Sequence, residues 1–155
     1  VYDAATQTWN AAEAPADINR RGAAAVTLGD EIWLIGGARN GQASARVDVY
    51  HTVSQSWRRA PDLPEPRAGH AAAVLDGNIH VFGGRSADMR RTLASHVVLD
   101  GDAEVWRSLP DMPAARTESG VASVDGTIWL IGGGSGAGFF APFTALDAVD
   151  IFSPS

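Results

Sequence analysis

The chain has 155 residues, no cysteine, a formal net charge of −6 and 45% hydrophobic residues. This balance indicates one globular domain rather than a disordered chain, and it excludes disulfides, cysteine-ligated zinc and a thiol nucleophile. All twelve basic residues are arginine, and eighteen acidic residues outnumber them, so no nucleic-acid partner is predicted. No membrane span is predicted either, because no apolar run approaches about 20 residues.

Landmarks recur along the chain with a period of just under fifty residues. Apolar runs end in glycine pairs at 36–37, 83–84 and 132–133. Trp9, Trp57 and Trp106 keep the same register. A repeat of this length is typical of proteins built from stacked structural units.

Each period predicts four short strands, a to d, and no helix. Strand a is a run of small residues after an arginine, and strand b is the apolar run into the glycine pair. Asp-Gly pairs at 76–77 and 125–126 between these strands favour tight hairpins. Strand c follows at 47–50, 95–99 and 149–152, and strand d carries the tryptophan.

The order of glycine pair, tyrosine and tryptophan resembles the Kelch repeat. That resemblance implies an all-β fold, a partial Kelch-type β-propeller of about three four-stranded blades, with the tryptophans largely buried between blades. The third unit departs from the pattern because it stops before its tryptophan. The structural motif residues are Gly36, Gly37, Tyr50, Trp57, Gly83, Gly84, Trp106, Gly132 and Gly133.

Residues 1–155 are predicted to form a single partial propeller. Residues 1–19 are the end of a preceding blade, 20–66 and 67–115 are blades, and 116–155 is an incomplete blade. Because propellers close with four to eight blades, two alternatives remain. The chain is a fragment of a longer propeller, which is favoured, or it is a half that forms a homodimer and closes a six-bladed ring.

Strand directions place the d–a and b–c connections on one face, where we expect a ligand that is a protein segment or acidic. Three arginines, Arg20, Arg67 and Arg116, begin strand a. The Kelch resemblance implies that they hold the d–a loop through hydrogen bonds, and this role is favoured over ligand contact. The candidates in the b–c connections and beside strand a are Arg39, Arg85, Arg90, Arg91, His70, Phe139 and Phe140. The phenylalanines form an exposed contact or pack onto the blade.

Catalytic patterns are weak in this sequence. The four histidines are dispersed and no pair has a metal-ligand spacing, so neither a metal nor a cofactor is predicted. His80 lies within strand b and is interpreted as a core histidine with a satisfied hydrogen bond. A non-catalytic role is therefore favoured.

Three functions are consistent with these features. The first is a non-catalytic interaction module that binds a protein or acidic ligand through the d–a and b–c face. The second is a carbohydrate-active enzyme resembling the Kelch-type sialic-acid mutarotases. The third is a structural repeat segment of a larger surface protein. The lysine-free composition, rich in alanine and arginine, suggests a bacterial source, and no compartment is predicted.

Overall fold

The computed structural model describes residues 1–136 and 144–154, and within these ranges the regular structure is all strand. The strands are β1 Tyr2–Asp3, β2 Thr8–Trp9, β3 Ala24–Leu28, β4 Glu31–Ile35, β5 Ala38–Arg39, β6 Gln42–Ala43, β7 Val47–His51, β8 Ser56–Ala60, β9 Ala71–Leu75, β10 Asn78–Phe82, β11 His96–Asp100, β12 Val105–Leu109, β13 Gly120–Val124, β14 Thr127–Ile131, β15 Gly134–Ser135, β16 Thr144–Ala145 and β17 Val149–Phe152.

Three antiparallel sheets form the body of the protein. The order β3-β4-β7-β8 makes blade 1 and the order β9-β10-β11-β12 makes blade 2. The order β13-β14-β17 makes blade 3, a sheet of three strands. Four-stranded units repeated side by side confirm the predicted all-β, partial β-propeller fold.

The hydrophobic core lies between the blades. One buried cluster joins Trp33 and Ile35 of blade 1 to Ile79 and Val81 of blade 2. A second joins blade 2 to blade 3 through Phe82, Ile128 and Leu130. Blade 2 is therefore covered on both faces, which explains why four of the five residues of its strand b are buried rather than alternate ones.

Glycine is required where the end of strand b meets the next blade. Gly36 has φ 57°, and a Cβ atom there would lie 2.6 Å from the carbonyl oxygen of Arg67 in blade 2. The neighbouring Gly37 donates its N–H to that same oxygen at 2.9 Å. The glycine pair therefore allows the backbone of one blade to approach the d–a connection of the next.

The strand-d tryptophans are less enclosed than predicted. Trp57 and Trp106 are half-buried, and Trp9 is exposed. The Trp57 indole N–H donates to the carbonyl of Glu13, and that of Trp106 donates to Pro61, both at 2.9 Å. Each indole thus reaches the d–a connection that leads into its own blade, with its outer edge in solvent.

The N-terminal strands repeat the outer half of a blade. Tyr2 lies opposite Trp9 across β1 and β2, as Tyr50 lies opposite Trp57 in blade 1. The ring centroids are 5.1 Å apart in the first pair and 5.0 Å in the second. The chain therefore begins with a c–d strand pair that stands outside blade 1.

Candidate functional site

The d–a and b–c connections of the three blades lie side by side, and we call them the loop face. Its described parts are the d–a connections 20–23, 67–70 and 116–119 and the b–c connections 36–46, 83–95 and 132–136. Gly69 donates its N–H to Gly22 at 2.7 Å, and Glu118 donates to Gly69 at 2.6 Å. Successive d–a connections are therefore joined from blade to blade by backbone hydrogen bonds.

The b–c connections are joined in the same way. The N–H of Ala43, in the β5–β6 hairpin of blade 1, donates to the carbonyl of Ala87 at 2.9 Å. The Thr92 hydroxyl of blade 2 donates to the carbonyl of Gly136 in blade 3 at 2.8 Å. The loop face is therefore one connected surface rather than three separate loops.

The arginines that begin strand a are fastened inside their own blades. Arg67 is 1% exposed, and its guanidinium donates to the carbonyl of Gly83 at 3.1 Å and to the Ser95 hydroxyl at 3.0 Å. Arg116, also buried, donates to the carbonyl of Gly132 at 3.3 Å and bonds the Asp150 carboxylate. These contacts tie the end of strand b to strand c.

Arg20 makes the equivalent contacts in blade 1. Its Nε donates to the carbonyl of Gly36 at 2.7 Å, and its Nη1 to the Asp48 carboxylate at 2.7 Å. Hydrogen bonds from Arg20 and Arg46 outweigh burial and hold the pKa of Asp48 below its usual value. For all three arginines the contacts are those of the loop-holding role favoured from the sequence.

The b–c arginines differ from these in exposure. Arg39, Arg90 and Arg91 are exposed, whereas Arg85 is half-buried and donates to the carbonyl of Met89 at 3.2 Å. Asp88 is the acid among them, and hydrogen bonds from the Ser86 hydroxyl and the Arg90 N–H lower its pKa. The first two b–c connections therefore present more positive than negative charge to solvent.

His70 lies beneath the loop face. Its ring passes over Gly36 of blade 1, where an added Cβ would lie 2.7 Å from His70 Cε1. Neither ring nitrogen has a hydrogen-bond partner of normal geometry among the described residues, although a backbone contact with Ile35 acts on the ring. Burial, together with the nearby Arg67 charge, lowers the pKa of His70 to about 3. The ring is therefore neutral at physiological pH.

A pair of histidines lies in the core between blades 2 and 3. His80 Nδ1 and His96 Nε2 are 2.9 Å apart, which confirms His80 as a core histidine with a hydrogen bond. Burial, followed by the nearby His80 and Arg67 charges, lowers the pKa of His96 to about 4. Sequence reasoning missed this partner, although aligning the repeats by their glycine pairs places both residues on the same face of adjacent strands.

One prediction concerns residues outside the described ranges. Phe139 and Phe140 fall outside them. Within the described residues, no three His, Asp or Glu side chains are grouped as a metal ion would need. Nor do those residues contain a helix long and apolar enough to cross a membrane.

Comparison with known proteins shows which family this chain is similar to. The model of the KLHDC2/KLHL20/DRC7 Kelch-repeats domain matches residues 1–152. A putative F-box/kelch-repeat protein of Arabidopsis thaliana is 40% identical over 63 residues, which is 41% of this chain and 17% of that protein. Kelch-like protein 33 of Homo sapiens is 41% identical over 59 residues, covering 38% of this chain and 11% of its own length.

A longer match comes from mouse. Kelch-like protein 35 of Mus musculus is 33% identical over 84 residues, which is 54% of this chain and 14% of that protein. The chain thus spans a small part of the relatives it matches. These relatives come from a plant and from animals, so they lend no support to the bacterial source suggested by composition.

Proposed function

Because the chain belongs to the Kelch-repeat domain family, we propose that it is a non-catalytic interaction module that binds an acidic segment of a partner protein at the loop face. The observation that carries this proposal is the exposure of Arg39, Arg90 and Arg91 on b–c connections that are hydrogen-bonded to one another. The protein partner follows from the family and from relatives named as F-box/kelch-repeat and Kelch-like proteins.

Arginine chemistry supports an acidic ligand. A guanidinium group presents several N–H donors in a planar fork that matches the two oxygens of a carboxylate. The acidic net charge of the chain makes a local group of exposed arginines the place where an anion meets attraction. Since these side chains are solvent-facing, their attraction for an anion falls as salt is added.

The experiment measures binding of a fluorescent oligo-glutamate peptide by anisotropy. Arg39→Glu and Arg90→Glu are each expected to weaken binding at least about fivefold, because each removes a charge-assisted donor and adds a repulsive charge. Arg107→Glu is the matched control, since Arg107 is exposed on the outer strand β12 rather than on the loop face. Equal affinities for all three variants, or binding that ignores salt, would contradict the proposal.

The carbohydrate alternative uses the same face. A sialic acid carries a carboxylate that the exposed guanidinium groups would bind, so N-acetylneuraminate is the small ligand to titrate into the same variants. His70 offers little as its acid or base, because the ring is buried and its pKa is about 3. The interaction module is therefore preferred, and the structural segment of a surface protein stays a prediction.

A further inference from the structure

The tip of the β5–β6 hairpin carries an asparagine followed by a glycine. The last ladder pair joins Arg39 to Gln42, so Asn40 and Gly41 form a two-residue loop. Their φ values are 52° and 78°, and positive φ at both positions is typical of a type I′ turn. Both residues are exposed. The pair therefore lies at the outer end of the first b–c connection, on the loop face.

The atoms that react in an asparagine–glycine pair are not shielded in this turn. The hydrogen bonds of a two-residue loop belong to the flanking pair, Arg39 and Gln42, so the Gly41 N–H is not held by the ladder. The Asn40 side-chain amide forms no hydrogen bond with any residue that the structure describes. An added Cβ at Gly41 would meet nothing within 4 Å. The Gly41 nitrogen and the Asn40 side-chain carbon are therefore both open to solvent.

The hairpin beneath the tip is short, because β5 and β6 pair over only two residues each. Its inner pair is fixed to the rest of the loop face, since the Ala38 N–H donates to Arg21 at 2.7 Å and the Ala43 N–H to Ala87 at 2.9 Å. Opening the outer pair alone frees the tip without breaking either contact, and a few exposed hydrogen bonds open at little cost. The tip can therefore change conformation while the loop face stays folded.

The other three asparagines of the chain lack this arrangement. Asn10, Asn19 and Asn78 precede alanine, arginine and isoleucine, whose side chains hinder attack by the following backbone nitrogen. Asn78 also donates its side-chain amide to the carbonyl of Asp76 at 3.2 Å. Asn10 and Asn19 are exposed as Asn40 is, so they separate the effect of the following glycine from that of exposure.

We propose that Asn40 is a modification site at which spontaneous deamidation places a negative charge on the loop face. The Gly41 backbone nitrogen attacks the Asn40 side-chain carbonyl carbon and gives up its proton. The bond from that carbon to the amide nitrogen breaks, and the nitrogen leaves with the proton as ammonia. Water then opens the resulting succinimide at one of its two carbonyl carbons, which gives aspartate or isoaspartate. Water is the one co-reactant, and nothing is oxidised or reduced.

The products change both the charge and the backbone of the loop face. Either product places a carboxylate next to the exposed Arg39 in the chain, where it competes with the carboxylates of a bound segment. Isoaspartate also adds a methylene group to the main chain, and a two-residue turn can take it only by shifting the register of β5 and β6. The effect on binding rests on the function proposed for the loop face, whereas the modification itself does not.

The first experiment follows the folded 155-residue chain at neutral and mildly alkaline pH by peptide mass mapping. A mass gain of about 1 Da is expected at Asn40 before any at Asn10 or Asn19. The gain should be faster at the higher pH, because the attacking amide reacts as its anion. Gly41→Ala should slow it at least about tenfold, because the added methyl group crowds the attacking nitrogen.

The free peptide of residues 36–46 gives the rate of the same pair outside the fold. The folded chain is expected to react within about tenfold of that rate, because a short exposed ladder opens at little cost. The proposal is overturned if the folded chain reacts more slowly than this, or if Asn40 is modified no faster than Asn10.

The second experiment measures binding of the fluorescent oligo-glutamate peptide to Asn40→Asp. This variant carries the charge of the product and keeps the turn, since aspartate also suits the first position of a type I′ turn. It should bind at least about threefold more weakly than the unmodified chain. Asn78→Asp is the matched control, because Asn78 lies in the a–b hairpin of blade 2, away from the loop face.

Equal affinities for these two variants would overturn the effect on binding. If the unmodified chain itself does not bind the peptide, the function proposed for the loop face fails. The mass gain at Asn40 is measured without any ligand, so it decides the modification in either case.

Discussion

The arginine that begins strand a is held by different acceptors in blades 1 and 2. In blade 1, Arg20 bonds the carbonyl of Gly36 and pairs with the buried Asp48 carboxylate at 2.7 Å. In blade 2, Val97 stands where Asp48 stands, and Arg67 bonds the Gly83 carbonyl and the Ser95 hydroxyl instead. The two blades share the bond from the guanidinium to the end of strand b, and of the two only blade 1 adds a hydrogen bond to a buried carboxylate.

This difference affects the pKa of the buried arginine in blade 2. The Glu65 carboxylate approaches the Arg67 guanidinium only to 3.6 Å and is itself partly exposed. Burial therefore lowers the pKa of Arg67. Comparison of the two blades teaches that carbonyl and hydroxyl acceptors suffice to keep a buried guanidinium in place.

The two blades also differ in the face that each turns to its neighbour. Blade 1 presents Trp33, with the Arg58 guanidinium 5.1 Å from its ring, whereas blade 2 presents the hydrogen-bonded His80 and His96. The indole of blade 1, which does not titrate, is thus replaced in blade 2 by two imidazoles, which do. The junction between blades 2 and 3 is consequently the one that acid should weaken.

The strongest test of this comparison converts blade 1 to the arrangement of blade 2. Asp48→Val alone should cost about 3–5 kcal/mol, because it leaves Arg20 and Arg46 without their shared carboxylate. Adding Arg46→Ser, the equivalent of Ser95, removes one of the two guanidinium groups that Asp48 held and supplies a hydroxyl acceptor. The double variant should recover more than about 1 kcal/mol in urea unfolding. If the two substitutions reduce the free energy of unfolding additively, the two blades do not hold their arginines in equivalent ways.

The next largest effect is the difference in stability lost when each of the two strand-d tryptophans is replaced. Trp106→Ala should cost about 2–3 kcal/mol, since this side chain packs on the core cluster and bonds Pro61. Trp57→Ala should cost about 1–2 kcal/mol, because its indole bonds the exposed Glu13 segment. Both values come from the midpoints of denaturant unfolding. A larger loss for Trp57 would mean that the N-terminal strand pair is fixed more firmly than its exposure indicates.

Acid should destabilise the protein mainly through blade 2. The pKa values of His70, His80 and His96 are all lowered in the folded state, to about 3 for His70 and about 4 for His96. The unfolded chain therefore binds more protons as pH falls below about 6.5, and each group costs up to about 1.4 kcal/mol per pH unit. Stability measured by urea unfolding should be full above pH 6.5 and should decline toward pH 4.

The control variant gives blade 2 the residues of blade 1. His80→Trp combined with His96→Val replaces the pair by the equivalents of Trp33 and Val47, so the decline with acid should become shallower. The part of the decline in stability that is due to His70 should remain. An unchanged slope would assign the acid sensitivity to groups outside this junction.

The smallest effect concerns the d–a connections. Gly22 and Gly69 have φ values of 64° and 66°, and Glu118 takes the same position in blade 3 with φ 58°. Glu118→Gly should therefore stabilise the protein by about 0.5–1 kcal/mol, because glycine adopts this conformation without strain. Gly69→Ala is the converse substitution and should destabilise it. Thermal unfolding measures both, and no gain from Glu118→Gly would mean that its side chain supplies compensating contacts.

The fold could be predicted from the sequence because the repeated residues are those that particular backbone conformations require. The glycine pairs and the Asp-Gly turns are tied to positive φ and close approach, which few other residues satisfy. The loop-holding role of Arg67 was implied by the Kelch resemblance. These features depend on local geometry, so they can be recognised without knowing what packs beside them.

Side-chain partners between blades could not be predicted in the same way. The contact of His80 with His96 and the burial of His70 against Gly36 depend on how two sheets are turned toward each other. The half-buried state of Trp57 depends on how the segment around Glu13 packs against its indole. The relative exposure of the b–c arginines likewise arises from loop conformations that the sequence pattern does not define.

The hydrogen bonds between neighbouring connections have a thermodynamic consequence for recognition. Ala43 is bonded to Ala87, and Thr92 is bonded to Gly136, so the loops restrain one another before any partner arrives. Much of the conformational entropy that mobile loops lose on association has here been lost on folding. A partner at this surface would meet a preorganised site, and its binding would be opposed chiefly by its own ordering.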